Sequence, residues 1–209
     1  MSLIRALLLA LCLTTSASAD LPTCFDAVCR VSNGPAVGSG CCYDYDGSTY
    51  YVLTNWHVAG GVGQRVQVEF YRRGYQSPKI AGQVVRSQHV EQQHIDVAVI
   101  AIRGAALPNG IAPAVVPLAD RSRDVQPGEL VYTIGASGGS WPTAFKGHIV
   151  RGRSAQAFTV RPAAADGRSG SPIFNADADE IIGLIAWRDD SNGVTIAKKV
   201  ATVHGAIGS

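Results

Sequence analysis

The stretch Tyr50-Tyr51-Val52-Leu53-Thr54-Asn55-Trp56-His57-Val58 reads as a β-strand that stops at a histidine. Aromatic and β-branched residues favour a pleated strand, and Asn55 brings turn chemistry to its end. Further on, Gln93-His94-Ile95-Asp96-Val97-Ala98-Val99-Ile100 puts one carboxylate at the head of an apolar run of strand length. A third piece, Asp166-Gly167-Arg168-Ser169-Gly170-Ser171-Pro172-Ile173-Phe174, sets a serine in a glycine-rich turn that opens into an apolar strand. Singly, each has an ordinary explanation: a satisfied histidine, turn chemistry, a loop. Together they set His, Asp and Ser, in that order, each where a strand meets a loop.

Working outward, strand signals recur at close spacing. Residues 28–32, 36–45, 49–54, 65–72, 79–85 and 95–102 are rich in β-branched or aromatic residues, with turns such as Asn33-Gly34-Pro35 and Asp46-Gly47-Ser48 between them. A Pro/Ala/Gly-rich stretch over 104–117 carries no periodicity and reads as a linker. A second set follows at 129–135, 144–150, 156–160, 171–174, 180–187 and 193–197, and 198–207 reads as one short terminal helix. No amphipathic helix of crossover length separates the strands, which argues against a parallel sheet of βαβ units. The class is all-β, as two antiparallel barrels or sandwiches.

The chain has 209 residues, with 18 Lys and Arg against 16 Asp and Glu, a net charge of +2. The basic residues form no long run, so there is no electrostatic footprint for nucleic acid or a membrane surface. Met1 to Arg5 carries positive charge, residues 6–13 are apolar, and Ala17-Ser18-Ala19 has the small-x-small form of a signal-peptidase site. The apolar run falls short of the ~20 residues a spanning helix needs. Residues 1–19 are therefore expected to leave as a signal peptide, with cleavage after Ala19 and a secreted or periplasmic product. Cys12 leaves with them, and Cys24, Cys29, Cys41 and Cys42 remain in an oxidising compartment. Two disulfides joining the N-terminal arm to the strand at 41–42 are expected, in either crosswise pairing. The cysteine spacings fit no zinc module, and His89 and His94 fall on opposite faces of a strand, so neither metal nor cofactor is implied.

The three opening segments, with Gly38-Ser39-Gly40 before them and Ile182-Gly183-Leu184 and Trp187 after, resemble the trypsin-like, chymotrypsin-fold serine proteases. The likeness is greatest to bacterial members close to the glutamyl-endopeptidase and HtrA-type protease domains, and it runs from about Gly38 to Ala197. It implies two antiparallel six-stranded β-barrels with a short C-terminal helix, an N-terminal barrel at about 24–103, a linker at about 104–125 and a C-terminal barrel at about 126–200. It also implies a secreted serine endopeptidase, acting on protein or peptide, with His57, Asp96 and Ser169 as its triad; a monomer is expected, since no PDZ-like module is read after residue 197. A serine hydroxyl is inert at its own pKa and needs a base within hydrogen-bond reach, which neutral His57 would supply while Asp96 fixes its tautomer. The N–H groups of Gly167 and Ser169 would receive the oxyanion.

By the same resemblance the primary pocket lies near Ala163 and Ala164, with walls near Ala186, Trp187, Arg188 and Gly193. No aspartate stands at its base, so Lys/Arg preference is not expected; Arg188 would favour small apolar residues or attract an acidic one. Pancreatic-type members are activated when a freed N-terminus pairs with an aspartate before the nucleophile. Here that position is Arg168, expected to pair elsewhere or face solvent in an enzyme that needs no activating cut. Ser137, in Gly135-Ala136-Ser137-Gly138-Gly139, is a decoy nucleophile, since Ser140-Trp141-Pro142 and not an apolar strand follows it. Glu91 is an alternative acid in a polar loop, and Asp177, Asp179, Asp189 and Asp190 read as solvated loop charges. The competing functions are an inactive protease-fold binding protein and a disulfide-linked β-domain for adhesion or carbohydrate binding.

Overall fold

The structure is a computed structural model that describes residues 20–208 except 73, 94, 109 and 110. The expected signal segment and His94 lie outside the described residues. Helix α1 (Leu21–Ala27) leads into β1 (Val28–Asn33), β2 (Ala36–Tyr45) and β3 (Thr49–Thr54). The short helix α2 (Trp56–Ala59) precedes β4 (Arg65–Arg72), β5 (Tyr75–Gln76), β6 (Ile80–Val90) and β7 (Ile95–Arg103). These strands pair antiparallel in the order β1-β2-β3-β7-β6-β4, and β4 returns to β1, so the six close into a barrel with β5 appended to β4. Gly34, at φ +57°, opens the two-residue turn between Asn33 and Ala36, a conformation glycine adopts without steric cost.

Beyond the linker come β8 (Leu130–Gly135), β9 (Thr143–Gly152), β10 (Ala157–Arg161), β11 (Pro172–Phe174), β12 (Ile181–Asp189) and β13 (Val194–Lys199). They close as a second antiparallel barrel in the order β8-β9-β10-β13-β12-β11, and α3 (Val200–Ile207) ends the chain. The fold is thus the expected pair of six-stranded barrels with a short C-terminal helix. Alternation along β3 and β7 explains the unbroken apolar runs. Val52, Ala98 and Ile100 face the first barrel's core, while Leu53, Val97 and Val99 pack outward against Leu184 of the second barrel and Val203 and Ile207 of α3. Both faces are buried, so the half-polar pattern of a surface strand is absent. The site sits at this seam.

The structure departs from the sequence reading in places. Helix α1 was not apparent in so short a segment; Pro22 fits its first turn, and Cys24 and Ala27 are its buried face. Strand β6 runs five residues beyond the expected 79–85, because its far half finds partners at the start of β7, His89 opposite Asp96 and Val90 opposite Ile95. The expected disulfides are a correction: Cys24, Cys29, Cys41 and Cys42 are free and buried. Neighbours on β2 point to opposite faces, so Cys42 joins Cys29 in the first barrel's core, and Cys41 joins Cys24 in the cluster between the barrels. They behave as small apolar side chains; burial first, then nearby Asp20 and Asp179, pushes the Cys24 thiol up to about 12.

Candidate active site

Strand β3 ends at Thr54, and the turn of α2 carries His57 back over the head of β7. Thr54 pairs with Ala98, which puts Asp96 beside that turn. The His57 N–H donates to Asp96 Oδ1 at 3.0 Å, and His57 Nδ1 stands 2.5 Å from Asp96 Oδ2. Asn55 Nδ2 donates to the Asp96 carbonyl at 2.8 Å, so both the backbone and the side chain of Asp96 are held from the same turn. Burial pushes the Asp96 carboxyl up, but the hydrogen bonds and charge of His57, with His89 nearby, outweigh it and the net shift is downward. Asp96 is 6% exposed, whereas the His57 side chain is 42% exposed. An ionised Asp96 on Nδ1 assigns the proton to that nitrogen and leaves the lone pair on Nε2.

Ser169 belongs to the turn between β10 and β11. Its carbonyl accepts the Ser39 N–H at 2.8 Å, and the flanking Gly170 N–H donates to Ile185 O at 2.9 Å. Gly38 stands where this turn meets α2. A Cβ there would lie 2.6 Å from Val58 Cγ2 and 2.8 Å from Ser169 O, so only glycine lets the two approach. The Ser169 hydroxyl donates to the Ala186 carbonyl at 3.3 Å. Among the described hydrogen bonds, the N–H groups of Gly167 and Ser169 have no acceptor. Gly167 has φ +81°, and a Cβ on it would meet Ala136 O at 2.4 Å, so no other residue fits this turn.

A cleft of about 260 Å³ beside Ser169 is lined by Ala164, Ala165, Asp166, Gly167, Ile185, Trp187, Arg188 and Asp190. Of the expected pocket residues, Ala164, Trp187 and Arg188 line it. Ala186 contributes its carbonyl to Ser169 and lies outside the lining, as does Ala163. Gly193 is displaced from the site: it sits exposed in the β12–β13 turn with nothing within 4 Å of a Cβ. Arg188 spans the cleft, its Nε 2.6 Å from Asp190, its Nη2 3.3 Å from Asp166 and its Nη1 donating to Ala164 O at 3.4 Å. Asp190 is therefore no free loop charge. Lys198 Nζ lies 4.0 Å from the centroid of the Trp187 ring, fully buried and, among the described residues, without a hydrogen bond.

The remaining candidates fall elsewhere. His89 stacks on Trp56 at 4.2 Å, and Glu91 is exposed in a single 3-10 turn. Ser137 Oγ accepts from Arg168 Nε at 2.8 Å. Arg168, expected to pair elsewhere or face solvent, is buried against the 137–145 segment. Ser39, named above only within the Gly38-Ser39-Gly40 motif, has a role in the site that the sequence does not show. Wholly buried, its hydroxyl donates to Gly167 O and accepts from the Ala136 N–H, both at 2.9 Å. The only sequence signal was its place between Gly38 and Gly40, small neighbours that let another chain segment come close.

The family model described as "Trypsin-like peptidase domain" matches residues 38–184. Among solved structures, the Rv3671c protease of M. tuberculosis in its inactive form is 19% identical, with a TM-score of 0.68 over 90% of this chain and 92% of that one. A serine endoprotease from Yersinia pestis is 20% identical, with a TM-score of 0.67 over 88% of this chain and 62% of that one. The HtrA-type protease AlgW, solved with a decapeptide, is 20% identical, with a TM-score of 0.67 over 90% and 65%. The chain thus spans less than two thirds of the latter two. A search of curated proteins by sequence found no match.

Proposed function

We propose, from the premise that the chain belongs to the trypsin-like peptidase domain family, that it is an exported serine endopeptidase with His57, Asp96 and Ser169 as its triad. The observation that carries this is the His57–Asp96 pair, set across the seam from a serine whose turn presents two unspent N–H groups. In this reading Nε2 of His57 takes the Ser169 proton as Oγ attacks the scissile carbonyl. Asp96 holds the ring and stabilises the imidazolium that forms. The N–H groups of Gly167 and Ser169 receive the oxyanion, whose charge develops only in the transition state. The imidazolium then protonates the leaving amine, and water, activated by the same nitrogen, hydrolyses the acyl-enzyme.

The cleft supports small, uncharged side chains at the residue before the cut. Arg188 narrows it and already faces two carboxylates, so an acidic side chain would enter a region with net negative charge. The N-terminal leader supports export, and sequencing of a secreted product is expected to give Asp20 as its first residue. The test is cleavage of an unfolded protein by the wild type and by Ser169→Ala. The variant is expected to lose about 10⁴-fold or more in turnover with an unchanged fold. Equal cleavage by both proteins would refute the assignment. No cleavage by either would favour the second reading, an inactive protease-fold binding protein, which the bond from Ser169 to Ala186 favours.

A further inference from the structure

Next to Ser169 stands a buried cation with no acid against it. Arg168 is 3% exposed, and among the described residues none of its contacts is a carboxylate. Its Nε donates to Ser137 Oγ at 2.8 Å, and its Nη2 donates to Thr143 O at 2.7 Å and Thr143 Oγ1 at 2.6 Å. The guanidinium carbon lies 4.7 Å over the Phe145 ring, and Nη1 is buried without a hydrogen bond. Burial pushes the group down to about 10, so it stays charged at neutral pH. A cation held by neutral acceptors is unfavourable for stability taken alone.

Every one of these contacts reaches the segment from Ser137 to Phe145, and the turn before Ser169 leans on that same segment. The Gly138 N–H donates to Asp166 O at 2.6 Å. A trans peptide is planar, with its C=O and N–H on opposite sides. Anchoring the Asp166 carbonyl on Gly138 therefore sends the Gly167 N–H the other way, out from the Ser137–Phe145 segment. Glycine at 167 would tolerate the reversed peptide too, so the turn's own sequence does not fix its sense. The Asp20 N–H, meanwhile, donates to Asp177 O at 3.1 Å and takes no part in the turn.

We propose that Arg168 is the positioning residue of the oxyanion-binding turn: by tying the nucleophile loop to the Ser137–Thr143 segment, it keeps the Asp166–Gly167 peptide in the sense that offers its N–H to substrate. The proposal rests on the serine-peptidase reading. The competent turn is then built in, held by a side chain and three neutral acceptors, and does not await the pairing of a freed N-terminus.

The test uses the processed protein as wild type, Arg168→Met, Arg168→Lys and Thr143→Val. Each is assayed for kcat and KM on a peptide amide, for inhibition by a peptide aldehyde of the same sequence, and for inhibition by the matching carboxamide. The aldehyde forms a tetrahedral oxyanion and the carboxamide does not. Arg168→Met is expected to lower kcat about 10- to 100-fold, less than or equal to the loss of one oxyanion donor, and to weaken the aldehyde by the same factor. Carboxamide affinity should hold within about twofold, since ground-state contacts are untouched. Arg168→Lys, which keeps the charge without the fork, and Thr143→Val should fall between. If Arg168→Met does not fold, those two variants decide. Unchanged aldehyde affinity in the folded variants overturns the proposal, as does equal weakening of aldehyde and carboxamide, which marks general disorder of the cleft. A wild type inert to peptide amides and aldehyde alike removes the peptidase reading beneath it instead.

Discussion

On the side of the first barrel, His57 and Asp96 are bonded directly to each other by backbone and side chain. On the side of the second, Ser169 is placed by partners far along the chain: Ser39 holds its carbonyl, Ile185 holds the next N–H, and Arg168 ties the turn to Thr143. The first arrangement follows from strand register, because pairing Thr54 with Ala98 brings the two residues together with no further decision. The second depends on several surface segments agreeing at once. Under the proposed function, the acid–base half is thus expected to be robust and the nucleophile half to be the place where activity is tuned.

Stripping the first side should have the largest effect. Asp96→Asn keeps the shape but offers Nδ1 the wrong partner, and kcat on a peptide amide should fall about 10⁴-fold. A loss under about tenfold would show that the pair is structural. On the second side, Arg188→Gly should open the cleft. We expect kcat/KM for substrates with a leucine or phenylalanine before the cut to rise about tenfold, with alanine substrates little changed. A profile of cleavage sites that is the same for both proteins would remove Arg188 from specificity.

The smallest effect concerns stability. Burial pushes the Lys198 ammonium from 10.5 down to about 8, opposed by the charge of Asp96. Between those values the unfolded chain binds more protons than the folded one, so stability rises with pH across the window from about 8 to 10.5. Lys198→Met is expected to be more stable by about 1 kcal/mol at pH 7 and to lack that rise. Urea unfolding at pH 7 and pH 10 checks both. A less stable variant at pH 7 would show that the contact with Trp187 outweighs the desolvation.

The same contrast explains what the sequence reveals. Strands β3 and β7 announce themselves through local composition, and so do the histidine and aspartate at their ends. Ser169 is marked by its glycines. What holds its turn is not legible, because Ser39, Ser137 and Thr143 are short polar residues that look like loop filler until the chain closes around them. Arg168 misleads for the same reason: arginine belongs at the surface by composition, and only the hairpin of β8 and β9 supplies acceptors that bury it. The cysteines mislead through chemistry rather than pattern, since an oxidising compartment suggests disulfides where the strand alternation sets small side chains into two cores. Nor does spacing along the chain show that Gly193 falls in the exposed β12–β13 turn, outside the cleft lining.

In the proposed function the alcohol of Ser169 is activated by His57. The most direct test of this activation is reaction of the wild-type protein with a fluorophosphonate, followed by peptide mass mapping. A single adduct on Ser169, absent from His57→Ala, is the predicted result. An intact, folded protein that takes up no label, or takes it up equally without the histidine, would contradict it.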